Sequence, residues 1–274
     1  MEAASYSRST TLAHYPSNLS GTSYGGKFFK MNLKIIKHKF LHADIIWSKI
    51  IEIYNKLNQI GKNYFCPVCG NHFMLFRNGE CRYCSSFGRH RKLAYYIQSH
   101  KEEIQNASQV CEFAPGTGDF KLLFSRLGIP VKQYLYADLN PARYPMFKVL
   151  KVDLQSDELP LIDDSFDIII IVSVLEHIPD DIKALRNIYR ILKNGGIAYV
   201  HVPIDENLEQ TIEYGKPNPD EYDHVRAYGK DFANRAAKVG FHIKKESYPN
   251  SARNKKLISW MQIDLMPFFI LKKY

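Results

Sequence analysis

The chain has 274 residues, 45% hydrophobic and 24% charged, a mixture that suits a soluble globular protein with a large core and excludes a collagenous or disordered one. No stretch approaches the roughly 20 consecutive apolar residues of a bilayer crossing, so no transmembrane segment is expected. The net charge of +9 is unevenly placed: residues 1–109 hold 15 Lys and Arg against 6 Asp and Glu, while residues 110–274 hold 22 of each.

Residues 1–30 are rich in Ser, Thr and Tyr and show no apolar period, which predicts a disordered tail without the apolar centre of a signal peptide. Met31 offers an alternative start. Residues 31–61 differ. Asp44 can cap a helix and Gly61 can end it, with Ile46, Ile50, Ile53, Leu57 and Ile60 recurring as one apolar stripe. Lys27, Lys30, Lys34, Lys37 and Lys39 precede it. This basic segment could lie on an anionic membrane surface, but packing on its own domain or on a second subunit is the preferred reading. The oligomeric state is not legible.

Residues 62–100 carry Cys66-Pro67-Val68-Cys69 and Cys81-Arg82-Tyr83-Cys84, two Cys-x-x-Cys pairs separated by eleven residues. Two such turns can place four thiolates at the corners of a tetrahedron, the geometry preferred by Zn²⁺. Gly70 and Ser85 follow the pairs, where a tight turn needs small residues. Four thiolate ligands leave no open position, so a structural rather than a catalytic Zn²⁺ is expected. Arg89, Arg91 and Lys92 then enter a helix and read either as a phosphate or carboxylate site or as a solvated helix start.

From residue 101 the pattern alternates strand and helix. Strands are expected at Val110–Phe113, Tyr134–Asp138, Val149–Asp153, Asp167–Val172, Ile197–Val202 and Phe241–Lys245, with a last strand within Ile263–Lys272. Helices are expected at Phe120–Leu127, Asp180–Leu192 and Asp231–Val239. The expected fold class is α/β, a Rossmann-like and mostly parallel sheet with helices on both faces, an antiparallel last strand and a small N-terminal zinc-ribbon module. Ligands of such sheets bind at the carboxyl ends of the strands. There the glycines Gly116 and Gly118 would let a ligand approach the backbone, and Asp138 could grip ribose hydroxyls. The third glycine of a dinucleotide fingerprint is absent, Lys121 standing in its place. Glu112 would repel a pyrophosphate but suits an ammonium and a sulfonium, and Asp153 could accept from an adenine amino group. These details favour S-adenosylmethionine over NAD.

The stretch from Glu112 to about Lys245 resembles the class I S-adenosylmethionine-dependent methyltransferases. The resemblance rests on E-F-A-P-G-T-G, on D-D-S-F-D-I-I-I-I-V-S-V-L-E-H-I-P-D-D and on L-K-N-G-G-I-A-Y-V-H-V-P. It extends to a bacterial subgroup with an N-terminal zinc ribbon, through C-P-x-C-G…C-x-x-C-x-S-x-x-R-H-R and the D-H-V-R-x-Y-G-x-D-F segment at Asp223–Phe232. The resemblance implies that Glu112 faces the methionine amino end, Asp138 the ribose and Asp153 the adenine. Leu139 and Leu154 would wall the adenine, and Ser173 would line the methionyl side. Ala114 replaces the usual first glycine, which is tolerable where the backbone is not at positive φ.

Residues 204–228 read as a long connection and a candidate substrate lid. His224 is the first candidate base, with Asp223 or Glu221 as its orienter and His177 as a second candidate. Arg226 could clamp an acidic substrate and Tyr228 accompany it. The implied function is methylation of a small-molecule or saccharide acceptor, on oxygen, in a surface-polysaccharide or secondary-metabolite pathway in the cytoplasm. The alternatives are a zinc-ribbon RNA methyltransferase, with nucleic acid as a less favoured partner, and a non-catalytic cofactor-binding or assembly protein.

Overall fold

Asp167-Ile168-Ile169-Ile170-Ile171-Val172 has no polar residue after its first, so a strand built from it must be covered on both faces. In the computed structural model, which describes residues 64–73, 76, 79–116, 120–145, 148–248 and 258–274, it is the centre of a seven-stranded sheet. The expected tail and helix of residues 1–61, and Gly118, lie outside the described residues.

The sheet strands are β3 (Gln109–Phe113), β4 (Gln133–Asp138), β5 (Val149–Lys151), β6 (Phe166–Val172), β7 (Leu192–His201), β10 (His242–Glu246) and β11 (Phe268–Lys272). Their spatial order is β10-β11-β7-β6-β3-β4-β5. Pairings from β5 to β7 are parallel, while β11 runs antiparallel to both its neighbours. The expected mostly parallel sheet with an antiparallel last strand is therefore present.

Side-chain alternation divides the interior into two cores. Cys111, Phe113, Ile169, Ile171, Ala198, Val200, Phe269 and Leu271 face one side. There they meet α3 (Asp181–Ile191) through Ala184, Leu185 and Ile188, and α4 (Phe232–Ala237) through Phe232 and Ala236. Val110, Ile168, Ile170, Ile197, Tyr199, Phe268 and Ile270 face the other side. That side is covered by α1 (Gly88–Ser99) and α2 (Phe120–Leu127), and the cysteine segment joins it through Cys66, Val68, Phe76 and Cys81. Each fully buried isoleucine of β6 contributes roughly 1.5–3 kcal/mol of apolar burial.

The cysteine segment folds around a short antiparallel pair, β1 (Tyr64–Phe65) with β2 (His72–Phe73). Its two knuckles repeat one hydrogen-bond pattern. Gly70 N–H donates to the Cys66 carbonyl and Ser85 N–H to the Cys81 carbonyl, both at 2.8 Å. Gly70 and Ser85 take φ of 76° and 55°, as tight turns of this kind require. Arg126 of α2 donates to the Pro67 and Val68 carbonyls at 2.8 Å, fastening the first knuckle to the sheet's helix layer.

The connection expected over residues 204–228 contains a hairpin, β8 (Ile212–Asn218) antiparallel to β9 (His224–Ala227). It is held by Arg226, which is 2% exposed. Its Nε donates to Glu213 at 2.9 Å, Nη1 to the Leu175 and Ile178 carbonyls at 3.0 and 2.5 Å, and Nη2 to the Pro179 carbonyl at 2.7 Å. Asp181 at the start of α3 accepts from Arg235 at 2.7 and 3.0 Å and from the Tyr228 hydroxyl at 2.8 Å. Among the described residues no helix is long and apolar enough to cross a membrane.

Arg226→Met removes the donors of three inward-facing carbonyls and one carboxylate. A loss of about 3–5 kcal/mol in urea unfolding is expected, as for other broken buried ion networks. A loss below about 1 kcal/mol would assign Arg226 no structural weight.

Candidate active site

A cavity of about 740 Å³ opens at the carboxyl ends of β3, β4, β5 and β6. Its sheet-side wall consists of Phe113, Ala114, Gly116, Asp138, Leu139, Val152, Asp153, Leu154 and Ser173. Arg143, Tyr144, Gln155, His177, Ile178 and Pro179 border it from the following turns. Two further elements reach it: Phe87, Arg89 and His90 from the start of α1, and Tyr222 with Asp223 from the connection expected to form a lid.

Asp138 is fixed from two sides. Its Oδ1 accepts the Asn140 N–H at 2.6 Å and its Oδ2 the Tyr144 hydroxyl at 2.8 Å. Each oxygen of a carboxylate accepts more than one hydrogen bond, so Asp138 retains capacity toward a ligand diol. Asp153 Oδ1 accepts the Gln155 N–H at 2.9 Å, and Leu139, 58% exposed, stands as an apolar flap above the same end. Glu112 does not line the cavity. Strand alternation turns it to the face shared by Val110, where the Tyr134 hydroxyl donates to it at 2.5 Å.

Backbone strain gathers here. Of seven described non-glycine residues at positive φ, four border the cavity: Ala114 at 51°, Ser173 at 56°, Tyr222 at 57° and Asp223 at 61°. Ala114 thus occupies the left-handed conformation that its methyl group was expected to avoid, held by its N–H donating to the Ala137 carbonyl at 2.8 Å. Such positions cost about 1–3 kcal/mol each and concentrate at functional sites.

Polar groups are also buried around these strand ends, at Glu176 after β6 and at His201, the last residue of β7, while Arg89 lines the cavity itself. Glu176 is 1% and His201 3% exposed; Glu176 Oε2, His201 Nε2 and Arg89 Nε are buried without a hydrogen-bond partner. Burial pushes the Glu176 carboxyl up to about 8, against the pull of Arg89 and Arg226. Burial also drives His201 down to about 4, and its Nδ1 stands 3.3 Å from Ser173 Oγ. His177 and His224 meet edge to face with ring centroids 4.8 Å apart. Both are lowered by burial, and His224 further by His177. His177 Nδ1 lies 3.4 Å from the Asp223 carbonyl, so Asp223 contacts His177 through its backbone.

Two expected substrate contacts do not fit. Arg226 spends its donors on Glu213 and the chain's own carbonyls, and the Tyr228 hydroxyl is taken by Asp181; both side chains are buried away from the cavity. Arg91 and Lys92 are internal as well. Arg91 donates to the Met261 and Gln262 carbonyls at 2.6 and 2.8 Å and lies over the Phe76 ring, while Lys92 pairs with Asp264. A charged residue carries no sequence mark of burial, since most are exposed. Cys111 is fully buried within β3.

The four thiols of Cys66, Cys69, Cys81 and Cys84 lie within 4.8 Å of one another, with Cys66–Cys84 and Cys69–Cys81 both at 3.7 Å. A tetrahedral ion with Zn–S bonds of about 2.3 Å would separate its sulfurs by about 3.8 Å. The cluster therefore fits a closed four-thiolate Zn²⁺ site, and the 3.7 Å spacings are far beyond a disulfide of about 2.05 Å.

Residues 111–200 match the family described as methyltransferase domain. The chain is 34% identical over 122 residues to the ubiquinone/menaquinone biosynthesis C-methyltransferase UbiE of Proteus mirabilis, covering 40% of this chain and 48% of that protein. It is 34% identical over 142 residues to the UbiE of Klebsiella pneumoniae, covering 47% of this chain and 56% of that one. The chain spans about half the length of the curated relatives it matches. Among solved structures, it is similar to a SAM-dependent methyltransferase from Archaeoglobus fulgidus, with a TM-score of 0.47, 16% identity and coverage of 68% and 95% of the two chains. A methyltransferase from Mesorhizobium loti gives 0.46, 17%, and 67% and 97%.

The folded-state value of His201 lies below its unfolded one, so the unfolded chain takes up the proton first as pH falls. Stability present above about 6.5 is lost toward about 4. Between pH 7 and pH 5 this amounts to about 2 kcal/mol. His201→Gln should flatten the urea midpoint over that interval; an unchanged slope would exclude His201 as its source.

Proposed function

We propose that this chain, whose residues 111–200 belong to the class I S-adenosylmethionine-dependent methyltransferases, transfers a methyl group to an oxygen of a polar small molecule. The observation that carries this reading is the cavity. It joins the carboxylates Asp138 and Asp153 at the strand ends to Arg89, Ser173 and His177 in one volume. At about 740 Å³ it falls within the roughly 300–1,000 Å³ of small-molecule pockets.

In this reading Asp138 takes the ribose hydroxyls and Asp153 the adenine amino group, with Leu139 and Leu154 against the adenine faces. The Ala114–Gly116 turn and Ser173 receive the methionyl end. S-Adenosylmethionine supplies an electrophilic methyl group when bound. The chain holds the acceptor in line with the sulfur–methyl bond, an orientation effect that can lower a barrier by several kcal/mol. An alcohol must also lose a proton. His177, which lines the cavity, and His224, whose ring meets it edge to face, are both held toward the neutral form by burial and are the groups suited to that task. Zn²⁺ in the cysteine cluster would be structural, holding the helix that brings Arg89 and His90 to the acceptor side.

Burial of Arg91 and Lys92 removes two of the three cations expected to grip phosphates and weighs against an RNA acceptor. A carbon acceptor is the second reading, because the matched relatives are named C-methyltransferases.

Asp138→Ala should weaken S-adenosylmethionine binding at least tenfold by calorimetry, and wild-type affinity would remove its ribose role. Incubation with methyl-labelled S-adenosylmethionine and a panel of saccharides and phenols, read by mass spectrometry and carbon NMR, should yield O-methyl products. C-methyl products would overturn the oxygen assignment, and failure of the wild-type chain to bind the cofactor would overturn the whole reading.

A further inference from the structure

Three side chains from two separate segments converge beside the cavity, which one of them, His177, lines. Glu176 and His177 stand on the 3-10 turn Leu175–His177 that follows β6, and His224 begins β9. One ligand-capable atom of each lies within 4.8 Å of the others. Glu176 is 1% exposed, and its Oε2 has no hydrogen-bond partner. A buried carboxylate oxygen left unmatched costs free energy unless something not described in the protein completes it.

We infer that Glu176, His177 and His224 bind one divalent first-row transition-metal cation, whose open positions take the oxygen of the acceptor. Two imidazoles and one carboxylate suit Zn²⁺, Fe²⁺ or Co²⁺ better than Mg²⁺ or Ca²⁺, which prefer oxygen throughout. Ligand atoms about 2.1 Å from a common ion stand roughly 3–3.4 Å apart, so small rotations of the two rings close the site. Three protein ligands leave positions for water or substrate, unlike the four cysteines. His177 itself borders the cavity, so the open side faces the acceptor volume.

Arg226 explains how the ligands are held together. It sits two residues beyond His224 and donates to the carbonyls of Leu175, Ile178 and Pro179, which flank Glu176 and His177. Arg226 is thus a positioning residue that clamps one ligand-bearing segment onto the other.

The acceptor role rests on the methyl-transfer reading; the ion site does not. With the ion bound, His177 and His224 would serve as its ligands rather than as proton acceptors, and the acceptor hydroxyl would lose its proton to solvent. Its oxygen then attacks the methyl carbon, and the carbon–sulfur electron pair leaves with sulfur as S-adenosylhomocysteine.

The test is a Co²⁺ titration of the full chain with its cysteines saturated by Zn²⁺. Wild type should take up one Co²⁺ per chain, giving weak visible bands without the intense near-ultraviolet band of thiolate ligation. Glu176→Gln and His224→Ala should each weaken that uptake at least tenfold, with circular dichroism as the control for folding. Acetohydroxamate, a two-oxygen chelator standing in for the acceptor, should shift the visible bands. Absence of a second ion in wild type, or equal Co²⁺ affinity in both variants, would overturn the site, and bands indifferent to acetohydroxamate would overturn its open face. Calorimetry with S-adenosylmethionine on the same sample separates the two proposals: loss of cofactor binding alone would remove the methyl-transfer reading and leave the ion site standing.

Discussion

The rim of the cavity depends on one buried charge arrangement, Arg226 against Glu213 and the carbonyls of residues 175–179, beside Asp181 with Arg235 and Tyr228. The hairpin β8–β9 has little apolar surface of its own; β8 is exposed along most of its length. Val225 of β9 is its one buried apolar side chain, so hydrophobic burial contributes little to holding it in place. Directional hydrogen bonds from a single guanidinium hold it instead, and they set the position of every residue that the hairpin contributes to the cavity. Removing one partner of such an arrangement is expensive because the remainder stays desolvated.

The opposite wall is built on a different principle. The cysteine segment and α1 share one apolar core with the sheet, through Cys66, Phe76, Leu93, Ile97 and Ile168. Arg89 and His90 project into the cavity from the first turn of the same helix whose Arg91 and Lys92 are tied to residues 261–264. One basic stretch of four residues thus divides its labour between the site and the core. The positive charge that dominates the N-terminal part of the sequence is, at these positions, internal structure rather than an outward-facing surface.

Most of the sheet was legible because its strands obey a period of two and its helices a stripe of 3.6 residues. Asp167–Val172, Phe120–Leu127 and Asp180–Leu192 lie within a residue of the observed elements. Asp138 and Asp153 were legible as cavity residues because strand ends locate ligands in parallel sheets, while Leu154 and Ser173 came from the family resemblance. The hairpin was not: Ile212-Glu213-Tyr214-Gly215-Lys216-Pro217-Asn218 shows no alternation, since neither of its faces is buried. Glu176 and His201 were passed over because one follows β6 and the other ends β7, and their shared burial is a product of the parallel pairing of those strands. Ala114 marks a subtler limit, since residue type alone does not reveal a positive φ.

The place of β11 bears on how the molecule is made. It lies between β7 and β10, so β10 reaches the sheet only through a strand that follows it in the chain. Residues 261–264, just before β11, also secure α1. During synthesis on the ribosome, the sheet edge and the α1 wall of the cavity both remain open until residues 261–272 emerge. A vectorially growing chain thus holds the residues of its parallel centre before it holds the contacts that fix the α1 wall of the cavity.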